Sequence, residues 1–176
     1  MNETARVVIR AMTLDDLPSM RNITWLTWVA TYAPFIPEED LRIYFDAHYS
    51  LEELTRLFAK ETVKGFMAFV DEAAAGFVKT EYSREEKRFY VSSLYVLPDH
   101  QGEGIGGKLY RVAEEHGLTF GADRVWLGVM EQNVRALAWY RRLGFDFSEK
   151  QPFTMGASTV DHLIGSRKIL TTDSHR

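Results

Sequence analysis

The segment from Leu94 to Lys108 constrains the fold more strongly than any other part of the chain. It reads L-Y-V-L-P-D-H-Q-G-E-G-I-G-G-K, which is an apolar strand, a proline that ends it, and a glycine-rich loop that opens into a helix. Glycines let the backbone approach an anion closely, and the free N–H groups at a helix start point at the anion with the positive end of the helix dipole behind them. The sequence therefore predicts an anion-binding loop between a strand and a helix.

Two nucleotide-binding motifs share only part of this pattern. Gly102, Gly104 and Gly107 satisfy the dinucleotide fingerprint G-x-G-x-x-G. That fingerprint follows its strand directly in the first unit of a doubly wound sheet, whereas residues 98–101 intervene here and the loop lies beyond the middle of the chain. A P-loop requires Ser or Thr after its lysine, but Lys108 is followed by Leu109. The sequence argues against both kinds of nucleotide site.

Length and composition limit the class of protein. With 176 residues, 45% hydrophobic and 26% charged, residues 1–176 are expected to form a single domain, with a loose polar tail from 170 to 176. The absence of cysteine excludes disulfides, a thiolate metal site and a cysteine nucleophile. The five histidines lack ligand spacing, so no metal is expected.

Charge and hydropathy bear on partners and location. A net charge of -4 argues against nucleic-acid binding, which requires a basic face. No apolar stretch approaches the length of a membrane span, and the N-terminus lacks the apolar centre of a signal peptide. The sequence therefore predicts no membrane partner and a cytoplasmic location.

Hydrophobic periodicity predicts an α/β fold with a mixed, twisted central sheet of about seven strands and helices on both faces. The step from Leu94 to Val129 is predicted to be a right-handed parallel crossover. The predicted strands are Val7–Met12, Val63–Val70, Ala74–Tyr82, Arg88–Val96, Val125–Val129, Phe145–Phe153 and Val160–Ile169. The predicted helices run from an N-cap at Thr13 through Ala30, from near Glu38, from Ser50, after Gly104 and over Asn133–Leu143.

Two motifs together resemble one known family. The loop Gln101-Gly102-Glu103-Gly104-Ile105-Gly106 matches Q/R-x-x-G-x-G/A, and a later segment contains Trp126-Leu127-Gly128-Val129, Asn133, Ala136, Tyr140 and Leu143-Gly144-Phe145. In their order and spacing these motifs are similar to those of the GCN5-related N-acetyltransferases (GNAT superfamily). The resemblance implies a GNAT-like fold, an N-acetyltransferase activity, and acetyl-CoA as co-substrate.

The resemblance also implies which residues contact the co-substrate. In the family a main-chain N–H of the strand before the loop polarises the thioester carbonyl, and the matching position is about Val96. That strand and the one after the next helix are expected to separate and admit the pantetheine arm. The residues implied are Leu94, Tyr95 and Val96 on the strand, Gln101, Gly102, Glu103, Gly104, Ile105, Gly106, Gly107 and Lys108 in the loop and helix start, and Asn133 and Tyr140 farther on.

Tyr140 and Asn133 are seven residues apart, so they share one face of the predicted helix. A phenol of pKa about 10 can protonate a departing thiolate whose thiol has a pKa of about 8.5, so Tyr140 is the candidate general acid. Asn133 is interpreted either as a pantetheine contact or as the helix N-cap. Trp139 is interpreted as a packed aromatic.

The general base is less well defined by the sequence. Related enzymes often carry a carboxylate on the strand before the loop, where this chain has Ser92 and Ser93. Glu81 is the candidate replacement, acting through water, with a plain solvated glutamate as the alternative.

The acceptor is expected to be a primary amine of a small molecule. The runs Thr31-Tyr32-Ala33 and Phe153-Thr154-Met155-Gly156 are most similar to the PaiA type of spermidine/spermine N-acetyltransferases. From Glu38 to Glu61 there are seven carboxylates against three cations, which suits a polyamine, although solvated helices also show such an excess. Without a cysteine, direct attack in a ternary complex is expected.

Three alternatives remain open at this point. The first alternative to a small-molecule acetyltransferase is an acetyltransferase of protein N-termini or lysines, which would need an extended peptide groove. From another class, it is a non-catalytic acyl-CoA-binding or sensing module. The aromatic-rich stretch Trp25–Tyr32 is either part of the core or a homodimer interface.

Overall fold

One seven-stranded mixed sheet runs through the protein. The computed structural model describes residues 4–171. The strands are β1 (Val7–Ala11), β2 (Val63–Val70), β3 (Ala73–Ser83), β4 (Arg88–Val96), β5 (Arg124–Met130), β6 (Asp146–Met155) and β7 (Ser158–Lys168). Their order is β1-β2-β3-β4-β5-β7-β6, and neighbours are antiparallel except for β4 and β5, which are parallel. The predicted mixed sheet is confirmed.

Helices cover both faces of this sheet, as predicted. They are α1 (Leu17–Tyr32), α2 (Glu38–His48), α3 (Leu51–Phe58), α4 (Ile105–Leu118) and α5 (Val134–Arg142). On one face, α1, α2 and α3 pack their apolar sides around buried residues such as Met20, Trp28 and Leu41. On the other face, α4 and α5 pack around Leu109 and Leu137. Alternation along β3 explains the two cores, because successive side chains of a strand point to opposite faces.

Local sequence signals explain several boundaries, with one difference from the predicted strand bounds. Asp71 and Glu72 both have positive φ, at 47° and 71°, and Val70 pairs with Ala73. The turn therefore has two residues rather than the predicted three, which matches the right-handed twist of a hairpin. At α3, the Ser50 hydroxyl accepts the Glu53 N–H at 3.1 Å, but the Glu53 carboxylate binds Arg56, so only half of a capping box forms.

The parallel pair β4 and β5 positions the site. The two strands are paired only at Phe89–Val125 and Tyr90–Trp126, so the second half of β4 has no partner on that side. Within β4, Ser92 is an extra residue in the pairing with β3. Such a bulge bends a strand away from its regular path. The result is a gap in the middle of the sheet. Of the predicted polar tail, residues 172–176 lie outside the described part of the chain.

Candidate active site

A cavity of about 750 Å³ opens where β4 and β5 separate. Its wall combines the second half of β4, the glycine loop, the start of α4, the middle of β5 and one side of α5. The loop follows β4 after a short 3-10 turn at Pro98–His100, and α5 follows β5, so both chain segments that leave the gap turn back over it. We call this space the cofactor cavity.

The glycine loop presents a row of free backbone donors to this cavity. Among the described residues, no N–H from Gly102 to Gly107 donates a hydrogen bond, and the first that does is Lys108, to the Gly104 carbonyl at 3.2 Å. Gly102 and Gly104 have φ of 84° and 81°, a conformation that side chains rarely adopt. A Cβ placed on Gly107 would meet nothing within 4 Å. These free donors and this open space fit a pyrophosphate.

Val96 directs its backbone groups into the gap. The Leu97 N–H donates to the Ala75 carbonyl of β3 at 2.8 Å, and alternate residues of a strand face opposite neighbours. The Val96 carbonyl accepts from Gln101 Nε2 at 3.1 Å, so the Val96 N–H also faces the cavity. Gln101 in turn accepts from Arg135 Nη1 at 3.1 Å. Gln101 therefore braces the loop against β4 and α5.

Tyr140 and Asn133 both line the cofactor cavity. The Asn133 side chain accepts the Ala136 N–H at 3.2 Å, so it is the N-cap of α5 as well as part of the cavity wall. The Tyr140 hydroxyl forms no hydrogen bond within residues 4–171, and burial raises the pKa of this phenol above its ordinary value. Tyr140 therefore stays protonated at neutral pH and has its proton free for a ligand.

Of the other sequence-predicted residues, some line the cofactor cavity and two do not. Leu94 and Tyr95 line the cofactor cavity, as do the loop residues from Gly104 to Gly107. Glu103 does not; its carboxylate lies 3.3 Å from His100 Nδ1 at the surface. The side chain of Lys108 is exposed and also lies outside the wall, and its backbone N–H is engaged within the helix.

Many residues of the cavity wall were not predicted as site residues from the sequence, and three of them bear on its chemistry: Trp139, Arg135 and Tyr32. Trp139 lines the cavity, and its ring lies 3.5 Å from a Cβ built on Gly106, so it is more than a packed aromatic. Arg135 adds a cation near the loop. Tyr32 comes from the distant α1. A signal was available only for Tyr32, which lies in the quoted run Thr31-Tyr32-Ala33.

A second cavity of about 380 Å³ lies on the face covered by α1, α2 and α3. It shares Tyr32, Ser92, Tyr95 and Gly128 with the cofactor cavity, so the two spaces meet at these residues. Its walls include the rings of Trp28, Tyr44, Tyr49 and Phe153, together with Glu81. Glu81 is not part of the cofactor cavity. We call this second space the acceptor cavity.

Burial keeps the hydroxyls at the junction of the cavities neutral. It raises the pKa of Tyr32 to about 12 and the pKa of Tyr95 well above its ordinary value. Burial likewise raises the pKa of Tyr49, whose hydroxyl lies 3.5 Å from Ser93 Oγ. The junction is therefore lined with uncharged hydrogen-bond donors over the whole physiological pH range.

Neither a metal centre nor a membrane segment is found in the described residues. No cluster of three or more His, Asp or Glu side chains within residues 4–171 could hold a metal ion. No helix in the same range is both long and apolar enough to cross a membrane.

Comparison with known proteins agrees with this geometry. The chain is 40% identical to streptothricin acetyltransferase of Streptomyces lavendulae over 73 residues, 42% of this chain and 39% of that protein. It is 28% identical to a probable spermine N(1)-acetyltransferase of Bacillus subtilis subsp. natto over 76 residues, 42% of this chain and 50% of that protein. The chain thus spans half or less of each of these two relatives.

A solved structure matches the fold over nearly its whole length. The PaiA N-acetyltransferase of Thermoplasma acidophilum, solved in complex with coenzyme A, superposes with a TM-score of 0.80 at 23% identity, covering 93% of this chain and 99% of that one. Residues 17–145 match the Acetyltransferase (GNAT) family. The chain therefore belongs to the GNAT family of acetyltransferases.

Proposed function

We propose that the protein transfers an acetyl group from acetyl-CoA to a primary amine of a small molecule by direct attack within a ternary complex. One observation carries this proposal: the cofactor cavity, with its row of free N–H groups, shares four wall residues with a second cavity of acceptor size. Acetyl-CoA supplies the activated acetyl group. The chain supplies binding, orientation and proton transfer.

The backbone holds the donor and polarises it. The N–H groups from Gly102 to Gly107 bind the pyrophosphate at the start of α4. The Val96 N–H faces the gap between the strands and donates to the thioester oxygen, which becomes negative as the amine attacks. A preorganised donor of this kind stabilises the transition state more than the ground state.

Tyr140 donates its proton to the leaving sulfur. Its raised pKa alone would make it a weaker acid than an ordinary phenol. The same burial also disfavours the thiolate and so raises the pKa of the leaving thiol. The difference in pKa between Tyr140 and the thiol is therefore partly preserved. The hydroxyl of Tyr140 is thus the group that neutralises the departing sulfur.

Proton removal from the amine is assigned to Glu81, acting through water. Glu81 lines the acceptor cavity, whereas the β4 positions nearer the gap carry Ser92 and Ser93. An acceptor with an ordinary amine pKa of about 10 arrives as an ammonium ion, which a carboxylate both attracts and deprotonates.

A polyamine is one candidate acceptor. The name of the B. subtilis relative supports it, and Glu81 in the acceptor cavity would attract an ammonium group. Lys79 lies in the same wall and adds a cation that a polyamine would leave unpaired. A space of only about 380 Å³ favours a small acceptor over a peptide. The free Tyr140 hydroxyl favours catalysis over passive binding.

A panel of amines with acetyl-CoA tests the proposal. We expect release of free coenzyme A thiol and formation of a mono-acetylated product with at least one small primary amine, because the two cavities meet at one junction. Thiol release is followed with a chromogenic reagent and the product is identified by mass spectrometry. Tight binding of acetyl-CoA without transfer to any amine or peptide would instead support a non-catalytic module.

Kinetic order tests the direct attack. We expect intersecting lines in double-reciprocal plots, because the sequence offers no cysteine for an acyl-enzyme and both cavities can be filled together. Mass spectrometry of the protein incubated with acetyl-CoA alone should find no stoichiometric acetylation at the site. Parallel lines together with an acetylated site residue would replace the ternary complex by an acyl-enzyme.

A further inference from the structure

The acceptor cavity contains a largely buried cation and a carboxylate that form no ion pair with each other or with any other described residue. Lys79 and Glu81 both belong to β3 and both line this cavity. Lys79 is only 8% exposed. Within residues 4–171, neither side chain forms an ion pair. The other carboxylate of the wall, Glu53, is already bound to Arg56 Nη1 at 2.5 Å.

The two charges lie side by side on one face of the strand. Residues two apart in a strand project on the same side, about 7 Å from each other along the chain. The charge of Glu81 acts on Lys79 and raises its pKa, but burial has the larger effect and lowers it. Lys79 and Glu81 are therefore close enough to sense each other without neutralising each other by contact.

An unpaired ammonium in such a place is costly to the free protein. Buried lysines are almost always paired, because removing the charge from water is compensated only by an opposite charge or by hydrogen bonds. No described residue forms an ion pair with Lys79, and the charge of Glu81 offsets only part of the cost of burial. The missing partner is therefore expected to arrive with the ligand, and the partner that suits an ammonium is a carboxylate.

We propose that the acceptor is an amino-acid-like molecule, a primary amine that also carries a carboxylate, with the carboxylate bound by Lys79 and an ammonium group bound by Glu81. This inference rests on the proposed function and narrows its acceptor class. The rings of Trp28, Tyr44 and Phe153 in the same wall would pack against the methylene chain between the charged groups. A polyamine satisfies Glu81 and leaves Lys79 facing a like charge.

The test compares amines that differ only by a carboxylate. Lysine and cadaverine form one such pair, and ornithine and putrescine form another. For the wild-type protein we expect kcat/KM to be about 10- to 100-fold higher for the amino acid of at least one pair, since a hydrogen bond to a charged group contributes roughly 1.5–3 kcal/mol. Most of the difference should appear in KM, because the carboxylate does not take part in the transfer.

The variant Lys79→Met should abolish this preference. Its kcat/KM for the amino acid should fall to the level of the diamine, while its kcat/KM for the diamine should stay the same or rise. Methionine keeps the apolar stem, so melting should occur at the same temperature or higher. Lys64→Met on β2 is the matched control, because Lys64 is an exposed strand lysine outside both cavities, and it should keep the wild-type preference.

Three outcomes overturn the inference while leaving acetyl transfer intact. The first is a wild-type preference for the diamine or for spermidine over the matched amino acid. The second is an equal loss of kcat on both members of a pair in Lys79→Met, which would make Lys79 a proton-transfer group. The third is a preference for lysine blocked at its α-amino and carboxyl groups, which indicates a peptide acceptor. Absence of transfer to every amine would refute the proposed function itself.

Discussion

Gly107→Glu is expected to weaken acetyl-CoA binding by roughly 100- to 1,000-fold. The new carboxylate would lie in the first turn of α4, where open space surrounds the Cβ position and where the free N–H groups face the pyrophosphate. Two unit charges 4 Å apart interact with about 4 kcal/mol at the effective dielectric of a protein surface, and screening at the mouth of the cavity reduces this value. Isothermal titration calorimetry with acetyl-CoA measures the effect.

This substitution separates binding from folding. A glutamate in the first turn of a helix interacts favourably with the helix dipole, so the melting temperature should not fall. Gly107→Gln has the same size without the charge and serves as the matched control; it should bind more tightly than Gly107→Glu, and the difference should shrink as salt is added. Gly104→Val would be a poorer choice, since Gly104 has φ of 81° and valine would strain the loop. Unchanged affinity in folded Gly107→Glu would remove the anion site from this loop.

Tyr140→Phe is expected to lower the turnover number by about ten- to a thousand-fold, the range that general acids contribute. The hydroxyl is the only group lost, and it forms no hydrogen bond within residues 4–171, so stability should be nearly unchanged. The ring keeps its packing against Phe145 at 5.5 Å between centroids, so affinity for acetyl-CoA should change little. Steady-state rates on one good amine, with calorimetry of acetyl-CoA binding, measure both quantities.

The pH dependence sharpens this prediction. Burial raises the pKa of Tyr140, so the required protonated form persists above the ordinary phenol value of about 10. The ratio of wild-type to variant turnover should therefore stay constant from about pH 6 to pH 10, with no loss from phenol ionisation in that window. Tyr110→Phe is the matched control, because Tyr110 is buried outside both cavities, where its hydroxyl binds Glu114 at 2.8 Å; its turnover should be near wild type. Turnover of Tyr140→Phe within a factor of two of wild type would discard the acid role.

Much of the fold could be predicted because it depends on local patterns. The strands Val63–Val70 and Arg88–Val96 were predicted to the residue, since alternating apolar side chains and flanking turn residues are properties of short segments. The glycine loop was predicted in the same way, because glycines after a strand and before a helix need no distant partner to be recognised. The hairpin turn at Asp71 was predicted at the correct place but one residue too long. The positive φ of Glu72 cannot be inferred from its residue type.

The acceptor side could not be predicted to the same degree. Tyr32 on α1 reaches the site only because α1 packs against the sheet beside the gap, more than a hundred residues from Tyr140. Lys79 appears in the sequence as an ordinary charged residue in a strand. Its burial follows from its pairing with Ser93 on the face that three helices cover.

The sequence by itself determined the order of the elements, the glycine loop and the family, because each is encoded in contiguous residues with a fixed period or spacing. Only the tertiary structure decided where β4 and β5 separate, that Tyr32 and Tyr95 line both cavities, and that Lys79 lies without an ion pair in the wall of the acceptor cavity. These features depend on strand register and on contacts between distant segments. A shift of one residue in register would turn Lys79 to the opposite face of the sheet, and no local pattern specifies that register.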